Sequence, residues 1–213
     1  MTGSIDRRTL LASASASVIA GNARSVGAAA SSGFAIALGG GAARGLAHIP
    51  VLEALDDLGI TPSLISGTSM GAIIGAVYAS GMNGRDIRTF ALELFSNRLK
   101  TIRRLFPGNP ATWGSVLALG NSAALAPEQL MSAALPDIVP ETFSELAIPL
   151  RIVTTDFYRQ EEFVIASGSL HKAIGASAAL PVLLSPVQWG ERVLIDGGFV
   201  NPTPFDILAD QPG

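Results

Sequence analysis

A chain of 213 residues has room for one α/β domain with a sizeable core and too little for two ordinary ones, so a single site is expected. Apolar residues make up 48% and charged ones 15%, yet no apolar run reaches the roughly eighteen residues of a membrane span, which points to an apolar ligand or a lipid surface. A net charge of −3 argues against general nucleic-acid binding, which needs a basic excess to neutralise phosphate, and zero cysteines exclude disulfides, thiolate metal sites and cysteine nucleophiles.

Residues 1–30 read differently from the rest. Arg7-Arg8 precede Thr9-Leu10-Leu11, a mildly apolar Ala/Ser stretch to Ala20, then Arg24 and Ala28-Ala29-Ala30. Paired arginines, a weakly apolar segment and an Ala-x-Ala site resemble a twin-arginine export signal. A disordered extension or a wrongly chosen start codon fits the same residues, and both readings stay open. The first implies export to the periplasm or cell envelope, the second a cytoplasmic protein; the domain proper is expected over residues 31–213.

From Gly33 onward, short apolar runs alternate with helical patterns, as they do where crossover helices join the strands of a mostly parallel sheet. Residues 34–38 are the first predicted strand. The glycine loop Gly39-Gly40-Gly41-Ala42-Ala43-Arg44-Gly45 then feeds a helix in which Leu46, Ile49, Leu52, Leu55 and Leu58 recur at helical spacing before Gly59. Pro50 must stand in the first turn of that helix or bend it, because it supplies no N–H. A short strand over 63–66 runs into Gly67-Thr68-Ser69-Met70-Gly71, followed by a small-residue helix over 72–80. Residues 85–95 are helical, whereas 97–135, with Pro107, Gly108, Pro110, Gly114 and Gly120, read as a cap or lid. Over the wider stretch from Arg85 to Leu135, read as an interfacial cap, Arg85, Arg88, Arg98, Lys100, Arg103 and Arg104 lie beside Leu105, Phe106, Trp113 and Leu117, a pairing that suits an anionic lipid surface as well as an ordinary solvated basic face. Strands are predicted at 150–155 and 163–165, a helix at 170–178 closed by Pro181, and a last strand at 193–195 ending at Asp196-Gly197-Gly198.

Three loops carry chemistry. Gly67 to Gly71 form a G-x-S-x-G sequence at a strand-to-helix turn, where a serine projects its hydroxyl above the sheet and the flanking glycines permit a strained, close-packed backbone. The helix beginning at Met70 points its positive end at Ser69, favouring a nascent oxyanion. A plain serine in a tight turn is the bland alternative, weakened by the strand and helix on the appropriate sides. The loop at 39–45 is not a nucleotide loop. The dinucleotide spacing needs glycine at position 42 or 44, where Ala42 and Arg44 stand, and a Walker loop needs Lys-Ser or Lys-Thr where Leu46-Ala47 stand. What remains is a glycine-rich turn whose amides suit an anion, including the oxyanion of a tetrahedral acyl intermediate. Arg44 adds positive charge or pins the loop, unless it is an ordinary surface arginine. Asp196, at the end of a strand, falls on the rim where open α/β sheets place their ligands and is the leading base candidate. Asp156 is a second strand-end carboxylate, suited to orienting a loop. Neither His48 nor His171 falls on a strand-end loop, and no histidine follows Asp196, so packing roles are expected for both.

In this order the elements resemble the patatin-like phospholipase family, most closely its short bacterial members. The resemblance runs from about Phe34 to Pro204 and rests on Gly40-Gly41-Ala42-Ala43-Arg44-Gly45, on Gly67 to Gly71, on Ala176-Ser177-Ala178-Ala179-Leu180-Pro181, and on Asp196-Gly197-Gly198 followed by Asn201-Pro202 and Pro204. It implies a three-layer α/β sandwich around a mostly parallel sheet. It also implies a serine acyl hydrolase with Ser69 as nucleophile and Asp196 as base. The amides of Gly40, Gly41, Ala42 and Met70 would form the oxyanion hole, with Gly39, Arg44, Gly45, Gly67, Gly71, Gly197 and Gly198 in support. Further implications are hydrolysis without metal or cofactor, a lipid acyl ester as substrate and transient contact with a membrane surface. Thioesters or other acyl substrates, and a regulatory protein without catalysis, are the alternatives. Ala42 stands where plant members carry a third glycine, and Pro50 replaces a usual glycine. The family continues past Pro204 with a helix and a further core strand, whereas this sequence ends at Gly213, so on that reading the sheet lacks an edge.

Overall fold

The computed structural model describes residues 33–105, 127–181 and 184–209. Along the chain these form β1 (Ala35–Leu38), a 3-10 turn (Ala42–Ala47), α1 (His48–Leu58), β2 (Leu64–Thr68), α2 (Met70–Ala79), α3 (Gly84–Leu105), α4 (Pro127–Ala134), β3 (Leu150–Asp156), β4 (Glu161–Ile165), α5 (Leu170–Ser177), β5 (Val187–Trp189) and β6 (Arg192–Asp196). Pro50 sits in the first turn of α1, where its missing N–H would have had no helical partner anyway. Gly59 closes α1 in the left-handed conformation at φ 66°, a C-cap that glycine adopts without steric cost. The helix expected over 85–95 runs on to Leu105, into the stretch read as a cap. Nothing between Gly84 and Leu105 breaks a helix, and Pro107 is the first residue that would.

The sheet order is β1-β2-β3-β6-β5, with β4 also paired to β3. β1 and β2 pair in parallel, as do β2 and β3, whereas β4 and β6 run antiparallel to β3. Every residue of β2 is buried, as expected for a central strand covered on both faces. On one face α2 lies close: a Cβ added to Gly75 would stand 3.2–3.5 Å from side-chain atoms of Ile65, Leu38 and Leu150, one from each of the three parallel strands. On the other face the segment 201–208 takes the place of a helix. Its carbonyls accept from the sheet side chains: Pro204 from Ser66 Oγ at 2.6 Å, Asn201 from Thr68 Oγ1 at 2.9 Å, and Ile207 from the Arg151 guanidinium. That cover accounts for buried hydroxyls on an otherwise apolar strand, since a buried polar group without a partner is costly. The β5–β6 hairpin, turning at Gly190 with φ 58°, is not foreshadowed by any long apolar run. Its clearest trace in the sequence is the glycine after Trp189.

The core gathers Leu38, Leu52, Ile65, Ile152, Leu170, Ile174 and Leu194, all at most 1% exposed, each stabilising the fold by about 1.5–3 kcal/mol. No described helix is long and apolar enough to cross a membrane.

One feature of the sheet sets up the site. β4 pairs with β3 over Ile152 to Asp156, occupying one edge of that strand. β2 and β6 therefore share the other edge, β2 ending its ladder at Thr68 opposite Val153 and β6 reaching Asp196 opposite Thr154. The two strands run toward each other and their carboxyl ends meet.

Candidate active site

Ser69 leaves β2 with φ 52° and ψ −116°, a conformation costing about 1–3 kcal/mol in a non-glycine residue. The strain is held by packing that glycine alone allows. A Cβ on Gly71 would fall 1.9 Å from the Leu38 carbonyl oxygen, and one on Gly67 2.7 Å from that of Gly71. With Gly71 free of a side chain, α2 starts against the end of β1 and folds sharply back along β2. The helix begins at Met70, so its positive end adjoins the hydroxyl.

The Ser69 hydroxyl donates to Asp196 Oδ2 at 2.8 Å, and Asp196 Oδ1 accepts from the Gly198 amide at 2.7 Å. Thr155 Oγ1 donates to the Asp196 main-chain carbonyl at 2.8 Å, and the Asp196 amide donates to the Ala179 carbonyl at 3.0 Å. The aspartate is thus fixed at backbone and side chain while being only 8% exposed. Gly197 is required next to it, because a Cβ there would lie 2.3 Å from the Val153 carbonyl oxygen. The sequence places Asp196 on a rim of parallel strands. In the structure it arrives from the opposite direction, at the end of an antiparallel strand that meets β2 head-on.

The glycine loop lies against this pair. A Cβ on Gly40 would be 3.4 Å from Ser69 Cβ, and one on Gly45 2.5 Å from Met70 Cγ. His48 Nε2 donates to the Gly39 carbonyl at 2.8 Å, so this histidine pins the loop, in keeping with a packing role. The Gly40 amide is already committed, donating to the Pro202 carbonyl at 2.9 Å. Gly41 and Ala42 take positive φ, 136° and 48°. Among the described residues no acceptor partners the amides of Gly41, Ala42 and Met70. The exposed Arg44 closes the turn through its own amide, which donates to the Gly41 carbonyl at 3.0 Å.

The remaining candidates lie apart from this pair. Asp156, 2% exposed, accepts from the amides of Tyr158 and Arg159 at 3.2 and 3.1 Å and from Arg192 Nη1 at 2.8 Å. Burial by itself would push its carboxyl up, but the Arg159 amide, the Arg192 guanidinium and the Tyr158 amide together hold it below the ordinary value. His171 joins α5 to α4, with Nδ1 3.1 Å from Ser132 Oγ and Nε2 3.3 Å from the Val139 carbonyl. Of the basic residues read as an interfacial cap, Arg85 pairs with Asp57 and Arg88 with Glu53. The side chains of Arg98, Lys100, Arg103, Arg104 and Leu105, together with Phe106, Trp113 and Leu117, lie outside the described residues.

Sequence reasoning missed one residue of the site. Ser177, the last of α5 and fully buried, accepts the Ser69 amide on its Oγ at 2.8 Å and donates to the Val153 carbonyl at 2.6 Å. It lies within the Ala176 to Pro181 stretch, where nothing in the spacing distinguishes it from neighbouring small residues.

A family model described as patatin-like phospholipase matches residues 36–209. An uncharacterized NTE-family protein of Mycobacterium tuberculosis is 35% identical over 175 residues, 82% of this chain and 45% of that protein. Patatin-like phospholipase domain-containing protein 6 of Mus musculus is 29% identical over 184 residues, 84% of this chain and 13% of its own length. The chain thus spans less than half the length of these relatives. Among solved structures, VipD from Legionella pneumophila aligns at 17% identity with a TM-score of 0.49, covering 79% of this chain and 46% of its own. A model match across most of the chain and a relative at this identity lead to one conclusion: the chain belongs to the patatin-like phospholipase family.

Proposed function

We propose that this chain is a serine acyl hydrolase that cleaves fatty-acyl ester bonds of phospholipids or related lipids through a Ser69–Asp196 dyad. The reading is carried by the 2.8 Å hydrogen bond from the Ser69 hydroxyl to a carboxylate whose other oxygen is held by a backbone amide. A serine hydroxyl is a poor nucleophile at neutral pH and needs an adjacent acceptor, which Asp196 supplies. As Ser69 Oγ attacks the ester carbonyl, its proton passes to Asp196 Oδ2, and the tetrahedral oxyanion is received by the free amides of Gly41, Ala42 and Met70. Collapse of the intermediate breaks the ester C–O bond, and Asp196 returns the proton to the leaving alcohol. Water, deprotonated by the same carboxylate, then attacks the acyl-enzyme; the bond between Ser69 Oγ and the acyl carbon breaks, the fatty acid leaves and Asp196 returns the proton to Ser69 Oγ.

Leu180, Phe199 and Val200 stand exposed within a few residues of the groups that hold Asp196. These exposed apolar side chains support transient contact of this part of the chain with a lipid surface. The test is labelling with a fluorophosphonate, followed by hydrolysis of phospholipid vesicles. Covalent modification at Ser69 that vanishes in Ser69→Ala, together with fatty-acid release by the unmodified protein alone, is the expected result. A folded protein that neither labels nor releases fatty acid refutes the reading.

A further inference from the structure

The parallel ladder between β2 and β3 advances two residues per bond on each strand, as parallel ladders do. The amide of Ile65 donates to the Pro149 carbonyl at 3.0 Å, and the register continues through Thr68 opposite Val153. Two steps on from Ile65 to Pro149, the next rung but one would run from the Ser69 amide to the Val153 carbonyl. That rung is not closed directly. The Ser177 hydroxyl stands within it, accepting from Ser69 N at 2.8 Å and donating to Val153 O at 2.6 Å.

From this we infer that Ser177 is a positioning residue for the nucleophile: its hydroxyl is inserted into the last rung of the ladder and fixes where β2 leaves the sheet. The inference rests on the Ser69–Asp196 reading above. A direct rung would hold Ser69 in the plane of the sheet, in extended conformation against β3. A hydroxyl interposed in that bond moves the Ser69 backbone away from Val153 while keeping both backbone groups satisfied. The Ser69 backbone then takes φ 52°, and Oγ reaches across to Asp196 at the end of the incoming strand. The same Val153 carbonyl oxygen is the atom that a Cβ at Gly197 would strike at 2.3 Å. One carbonyl thereby gauges both halves of the dyad, Ser69 through the Ser177 hydroxyl and Asp196 through the contact at Gly197. Ser177 is fully buried and lies at the end of α5, so its hydroxyl has no route to solvent and no freedom to serve another partner.

Loss of the hydroxyl leaves a buried amide and carbonyl that either stay unpaired or close on each other, drawing Ser69 off Asp196. A displacement of about 1 Å at a reacting group lowers turnover by about a hundredfold. The experiment measures kcat and KM on a chromogenic acyl ester, together with the fluorophosphonate labelling rate, for the unaltered chain, Ser177→Ala and Ser177→Cys, all per folded molecule. For Ser177→Ala we expect kcat and the labelling rate to fall together by about a hundredfold with KM little changed. Ser177→Cys, whose thiol makes longer and weaker hydrogen bonds, should lose at least about tenfold in both. Folded Ser177→Ala with native kcat and labelling overturns the inference. If the alanine variant does not fold, a folded Ser177→Cys protein with native kcat overturns it instead. Failure of the unaltered chain to label at Ser69 would refute the dyad itself, a result distinct from either.

Discussion

Two buried aspartates end strands only a few residues apart in the sheet, and they are held in different ways. Asp156 closes β3 with two backbone amides and the Arg192 guanidinium on its carboxylate, and Arg159 lies nearby. Among the described residues, Asp196 closes β6 with one backbone amide on one oxygen and only the Ser69 hydroxyl on the other. A carboxylate clamped by a guanidinium is a weak base, because protonation must first sacrifice a charge-assisted bond. One that faces neutral donors keeps an oxygen able to take a proton. Both aspartates cap tight turns, and what suits Asp196 to the proposed role of base is the absence of a cation partner among the described residues and the head-on arrival of β2.

The largest effect expected from that contrast is in turnover. Asp196→Asn should remain folded, since the amide still accepts from Gly198, while losing acyl-hydrolase activity by about three orders of magnitude or more. A folded Asp196→Asn protein with near-native kcat would break the comparison at its first term. The second substitution is Asp156→Asn, which should leave kcat and KM unchanged per folded molecule and lower the melting temperature by roughly 5 °C or more, because Arg192 loses its buried counter-charge. Loss of kcat without loss of stability would show that Asp156 acts in the chemistry after all.

The same contrast has a pH signature. The Asp156 carboxyl is held below its ordinary value in the folded chain, so its contribution to stability is fully present above the unfolded value of about 3.9 and is lost as pH falls through the folded one. Melting temperatures of the native chain and Asp156→Asn should therefore differ at neutral pH and converge below about pH 4. Parallel curves across that range would remove the guanidinium clamp from the explanation.

The smallest effects are expected at the histidines. His171→Ala should leave turnover per folded molecule unchanged. His48→Ala frees the Gly39 carbonyl from its hydrogen bond, a loss of about 0.5–1.5 kcal/mol that corresponds to no more than about a tenfold drop in kcat. Because no histidine touches Ser69 or Asp196 among the described residues, the rate profile should carry no limb near the imidazole range of about 6.5. A folded histidine variant without activity would replace the dyad by a different base.

The sequence alone was enough to locate both members of the candidate dyad and to place β1, β2, α2, β3 and β6 to within a few residues. The reason is local. G-x-S-x-G between an apolar strand and a small-residue helix, and Asp-Gly-Gly after an apolar strand, mark tight turns by their glycines, although the packing that holds those turns comes from other strands. Only the tertiary structure decided the rest, because it depends on which segments share an edge. Pairing of β4 along one side of β3 leaves β2 and β6 to meet end to end on the other, and no local pattern announces that. Folding of 201–208 over the sheet satisfies Ser66 and Thr68 and also takes the Gly40 amide out of the set of free donors. Above all, it set the Ser177 hydroxyl in the rung between Ser69 and Val153, a contact across 108 residues of chain. A serine among alanines carries no trace of such a partner, since a hydrogen bond of that range is fixed by the packing of α5 and not by its neighbours in sequence.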